Sequence, residues 1–90
     1  MQISDIIFPN SLPKLDLHGY DRDSARVMIE DFILDNVKMK NEFIIIIHGI
    51  GEGILRKTTL ECLSRNKDVA DYKSSYNNRG SVIVKLQIKH

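Results

Sequence analysis

Three side chains in this sequence have the types and spacing for acid–base work: Asp16, His18 and His48. Asp16 and His18 stand two apart in the alternating stretch Lys14-Leu15-Asp16-Leu17-His18, so an extended backbone puts them on one face. A carboxylate so placed can orient the imidazole or raise its basicity. His48 closes the apolar run Phe43-Ile44-Ile45-Ile46-Ile47 and opens Gly49-Ile50-Gly51-Glu52-Gly53. A strand, a glycine loop and a helix in succession aim free backbone N–H groups at an anion. Two histidines around a phosphate suit general acid–base cleavage of RNA, one removing a proton and the other supplying one. The same Asp/His set suits a divalent metal that activates water. Plainer roles compete with these. Asp16 can cap a loop, each imidazole can satisfy a carbonyl, and the glycines can merely turn the chain.

Two common glycine motifs fail on spacing. A dinucleotide fingerprint needs G-x-G-x-x-G, where this loop has G-x-G-x-G. A P-loop counted from Gly51 needs glycine where Arg56 stands before Lys57-Thr58.

The elements that must hold these groups follow from periodicity. The run at residues 43–47 predicts a strand buried on both faces, as in a parallel strand covered by helices. Residues 14–18 predict a short strand ended by Gly19. Asp21 is placed to cap a helix over 22–38, in which Ala25, Met28, Ile29, Phe32, Ile33 and Val37 recur at helical steps. A second helix is expected over 53–65, with Leu55, Thr59, Cys62 and Leu63 on its buried face. A weak strand at 69–76, a turn at Asn77-Asn78-Arg79-Gly80 and a strand over 81–89 complete the chain. The order β-α-β-α-β-β implies a parallel first pair and a terminal hairpin. Parallel strands end on the same edge, which brings His18 and His48 near each other where open α/β sheets place ligands.

Ninety residues make one small domain, read as an N-terminal extension over 1–13 and a domain over 14–90. The extension carries Ile6-Ile7-Phe8 between polar residues and prolines. Thirteen basic and twelve acidic residues leave a net charge of +1, so any basic surface must be local. Arg22, Arg26, Arg56, Lys57 and Arg79 are the candidate phosphate contacts, each against the alternative of a solvated surface charge. Cys62 is the one cysteine, which excludes an internal disulfide and a cysteine cluster for zinc. No run approaches the roughly 20 apolar residues of a membrane span. The N-terminus lacks the pattern of a signal peptide, so a cytoplasmic setting is expected.

Leu15-Asp16-Leu17-His18-Gly19, a helix, an apolar strand and His48-Gly49-x-Gly51-x-Gly53-x-Leu55-Arg56 resemble the Smr domain, the small MutS-related domain, over roughly residues 14 to 88. The resemblance implies an α/β two-layer sandwich like the C-terminal domain of translation initiation factor three. That is a four-stranded mixed sheet, its last strand antiparallel to the others, with two helices on one face. It implies nucleic-acid binding and endonuclease activity on RNA or DNA, including messenger RNA on stalled ribosomes. The alternative is a non-catalytic module that docks on nucleic acid or the ribosome. Carried over by motif, Asp16 and His18 fall on the first signature, and His48, Gly49, Gly51 and Gly53 on the second. The sequence departs from the pattern at Ile50, where a basic residue is frequent, at Glu52, a carboxylate in a phosphate loop, and at Asn78, where glycine is usual. With these departures, binding is the firmer expectation of the two, ahead of cleavage.

Overall fold

The computed structural model describes residues 11–51, 53–75 and 78–89, leaving aside the side chains of Ser75, Asn78 and Arg79. Among them the chain forms β1 (Lys14–Asp16), α1 (Arg22–Lys38), β2 (Phe43–Ile47), α2 (Ile54–Arg65), β3 (Val69–Ser75) and β4 (Asn78–Leu86). The sheet order is β1-β2-β4-β3. β1 runs parallel to β2, whereas β4 is antiparallel to both β2 and β3. This is the mixed sheet and two-helix layout expected of the fold.

The apolar run of β2 is buried on both of its faces, for different reasons. Ile44 and Ile46, with Val82, Val84 and Leu86 of β4, meet Ala25, Ile29 and Ile33 of α1 and Leu63 of α2. Phe43 and Ile45 point the other way and cluster with Ile83, with Leu12 and Ile47 packed against them. The expected burial is present, yet among the described residues helices cover one face alone. The second face keeps Phe43, Ile45 and Ile83 at 8, 5 and 7% exposure. Residues just before β1 belong to this sheet as well, since the Ile45 N–H donates to the Pro13 carbonyl at 2.8 Å. The Ile6-Ile7-Phe8 cluster lies outside the described residues.

Boundaries differ from expectation at the first and last strands, and the last strand ends at Leu86 rather than residue 89. The first strand ends at Asp16 rather than residue 18, because Leu17 is already swinging its carbonyl round to accept the Tyr20 N–H at 3.1 Å. Asn78, Arg79 and Gly80 belong to β4 rather than to a turn, with Asn78 paired to Ser75; Asn77 lies outside the described residues. Asn and Gly permit a turn but do not compel one, and pairing along β3 wins here.

α1 ends on a small polar lock that periodicity misses. Asn36 is 1% exposed, donates to the Phe32 carbonyl at 2.8 Å and accepts from Asn41 Nδ2 at 2.9 Å. Asn41 also donates its own N–H to the Asn36 carbonyl at 2.9 Å, which fixes the approach to β2.

Candidate functional site

The parallel pair β1–β2 sets the geometry. Asp16 stands opposite Ile47, and the Leu17 N–H donates to the Ile47 carbonyl at 2.8 Å. The two chain segments therefore leave the sheet side by side, one through His18-Gly19 and the other through His48-Gly49. Each turns away on a glycine in the left-handed region, Gly19 at φ 82° and Gly49 at φ 84°. Between the exits, at the start of α2, lies an open cavity of about 680 Å³. His18 and His48 both line it, together with Tyr20, Arg22, Arg56 and the glycines 19, 49, 51 and 53.

The two imidazoles differ in their surroundings. His48 is 5% exposed, and its Nδ1 lies 2.9 Å from the Gly49 carbonyl. A carbonyl oxygen can only accept, so Nδ1 carries the proton and neutral His48 presents a lone pair at Nε2. That Nε2 is buried and finds no hydrogen-bond partner among the described residues. Leaving such an atom unpaired costs about 1–3 kcal/mol in a folded protein. His18, by contrast, is exposed.

Asp16 does not line the cavity. Its Oδ1 accepts the His18 backbone N–H at 2.9 Å, the plain loop-capping role that sequence reasoning weighed against a role on the imidazole. Its placement steadies the chain entering the site.

The loop and helix start supply donors, though fewer than the motif suggests. The His48 and Gly49 N–H groups both donate to the Gly80 carbonyl of β4, at 2.8 and 2.9 Å. Those two amides are committed to the fold. The first helical bond of α2 runs from the Lys57 N–H to the Gly53 carbonyl at 2.9 Å. Amides of Ile54, Leu55 and Arg56 precede it and have no intrahelical acceptor, and the Gly53 N-cap brings no side chain to them. These amides, with the positive end of the helix dipole, face an anion most readily. Gly53 needs its φ of 87°, whereas Gly51 is outside the left-handed region and a Cβ there would meet nothing within 4 Å. Neither backbone conformation nor crowding in the fold asks for glycine at 51.

Charge at the site is mixed. Arg22 and Arg56 line the cavity, but so do Asp21 and Asp23. Arg22 and Asp23 approach to only 4.0 Å with both side chains well exposed, a pair of little energetic weight. Asp21 caps α1 by accepting the Ser24 N–H at 2.7 Å, and that bond holds its carboxyl below the ordinary value. Arg26 is elsewhere, in the groove between α1 and α2 with Glu30 and Cys62. There Cys62 is half-buried and burial pushes its thiol up. Lys57 is exposed and does not line the cavity. The Arg79 side chain and Glu52 lie outside the description. Among the described residues no three His, Cys, Asp or Glu side chains converge to hold a metal ion. Sequence reasoning missed Tyr20, Ile54 and the acidic pair at 21 and 23. Tyr20 was detectable as an aromatic residue directly after Leu-Asp-Leu-His-Gly, in a turn with no core to enter.

A two-helix layer on a β1-β2-β4-β3 sheet, with paired histidine–glycine exits, defines a class that sequence comparison identifies independently. The Smr domain family model matches residues 15–87, and the chain belongs to that family. Among curated relatives, it is 37% identical over 67 residues to Endonuclease MutS2 of Staphylococcus saprophyticus and 31% identical to that of Staphylococcus aureus. The matches span 74% of this chain but only 9% of those relatives. In structure it is similar to the Smr domain of Thermus thermophilus MutS2, with a TM-score of 0.82 at 23% identity, covering 84% of this chain and 99% of that one. It is also similar to YdaL, a stand-alone small MutS-related protein from Escherichia coli, with a TM-score of 0.79 at 24% identity, covering 82% and 63% of the two chains.

Proposed function

We propose that this chain is a nucleic-acid-binding domain with endonuclease activity on RNA or DNA. The observation that carries the reading is the shared cavity. Two histidines border it at the uncapped start of α2, and one has a buried Nε2 without a partner among the described residues. Kinship to the endonuclease MutS2 proteins supports the same reading.

In this reading the scissile phosphate sits against the amides of Ile54, Leu55 and Arg56, with Arg22 and Arg56 offsetting its charge. In the neutral tautomer that keeps its proton on Nδ1, His48 Nε2 removes a proton from the attacking hydroxyl or water. The new P–O bond forms as the bond to the leaving oxygen breaks, and protonated His18 supplies that oxygen with its proton. A substrate hydroxyl reaches Nε2 only once the atoms in front of it move aside, because that nitrogen is closed to solvent. The partner is an intracellular RNA or DNA, free or on the ribosome.

The second reading is a binding module without chemistry, and Asp16 favours it. Its carboxylate is held on a backbone amide instead of an imidazole. Incubating the purified chain with labelled RNA and DNA, with magnesium and with chelator, separates the two. Cleavage that disappears in His48→Ala supports the enzyme; retention of binding with no cleavage under any condition supports the module.

A further inference from the structure

The cavity wall has an apolar side that phosphate binding does not use. Tyr20 is 50% exposed, Ile50 83% and Ile54 56%, and all three line the cavity. All three are exposed rather than part of either buried cluster. Tyr20 is presented from an ordered turn, with its N–H on the Leu17 carbonyl and the α1 cap directly after it.

A ligand that satisfies this wall needs an anionic group for the α2 amides and, a short distance away, a flat apolar surface for the ring. An unpaired nucleotide has both. Base–aromatic stacking is sequence-tolerant because every base offers a π-face. A duplex hides those faces in its own stack and offers only edges and backbone. Duplex binding relies instead on a dense array of cations along the phosphates. Among the described residues this cavity has Arg22 and Arg56 set against Asp21 and Asp23, which is no such array.

We infer that Tyr20, with Ile50 and Ile54 lining the same cavity, forms a base-stacking subsite that selects unpaired nucleotides over duplex. The inference rests on the proposed function only in taking nucleic acid as the ligand; it does not require cleavage.

The test uses the full chain and fluorescently labelled oligoadenylate, in RNA and DNA forms, single-stranded or annealed to its complement. Anisotropy titrations are expected to show tighter binding to the single strand. Tyr20→Ala should weaken it about fivefold or more, and Tyr20→Phe should leave it intact. Duplex affinity should be the same in all three proteins. An abasic strand should bind the wild type as weakly as oligoadenylate binds Tyr20→Ala. Equal wild-type affinity for duplex and single strand would overturn the inference, as would a Tyr20→Ala protein that binds the single strand like wild type. In both cases nucleic-acid binding itself survives. If no form binds the folded wild type, the subsite and the proposed function fall together.

Discussion

His48 combines near-complete burial with a nitrogen that has no hydrogen-bond partner among the described residues, and this combination sharpens what its removal should do. A group that only completed the core would be missed in stability; a general base is missed in rate. His48→Ala is therefore expected to lower cleavage by about 10²- to 10⁴-fold while substrate affinity stays within a few fold, as single-turnover assays and anisotropy would report. The glycines divide in the same way. Gly53→Ala forces a side chain into the left-handed region and should cost about 1–2 kcal/mol in urea unfolding. Gly51→Ala meets no such penalty, so its stability should stay within about 0.5 kcal/mol of wild type. If a phosphate comes close to that backbone, Gly51→Ala nevertheless binds more weakly. Unchanged affinity would make residue 51 part of a plain connector. The meeting of His18 with His48 was legible in the sequence because parallel strands must end on one edge. The turn of Asp16 onto a backbone amide was not, since i, i+2 spacing suits either partner.

Among the elements, α1 has the more readable ends. Its cap at Asp21 and its span over 22–38 follow from one acidic residue and a 3.6-residue apolar rhythm, both local signals. The lock at Asn36 and Asn41 involves partners in the loop beyond, which no helical pattern encodes. The hairpin strand was likewise misplaced, because pairing of Asn78 with Ser75 is decided across the sheet. The cap gives a pH test. The Ser24 amide lowers the folded-state pKa of Asp21 from 3.8, so its stabilisation is fully present above the unfolded value and is lost as pH falls through the folded one. Thermal unfolding should therefore show Asp21→Ala less stable than wild type at neutral pH. The gap should close in acid, below the ordinary carboxylate range. A gap that persists there would mean that the carboxylate's charge is not what holds the helix start.

At the scale of the molecule, a net charge of +1 makes any electrostatic contribution local. Arg56 is at the cavity and Arg26 is in the groove between α1 and α2, although both read equally well as phosphate contacts in sequence. Arg56→Ala should reduce the slope of log affinity against log salt by about 0.7–0.9, while Arg26→Ala leaves it unchanged. An equal effect of both changes would place the phosphates across α1 instead of at the start of α2. One backbone oxygen ties these distant parts together. The Gly80 carbonyl, carried by the last strand, accepts from both His48 and Gly49. Their amide protons therefore share a single latch. In deuterium the two should exchange together, with one opening free energy, and substitutions that loosen β4 should speed both by the same factor. The far end of the chain thus sets the timescale on which the central histidine turn can open.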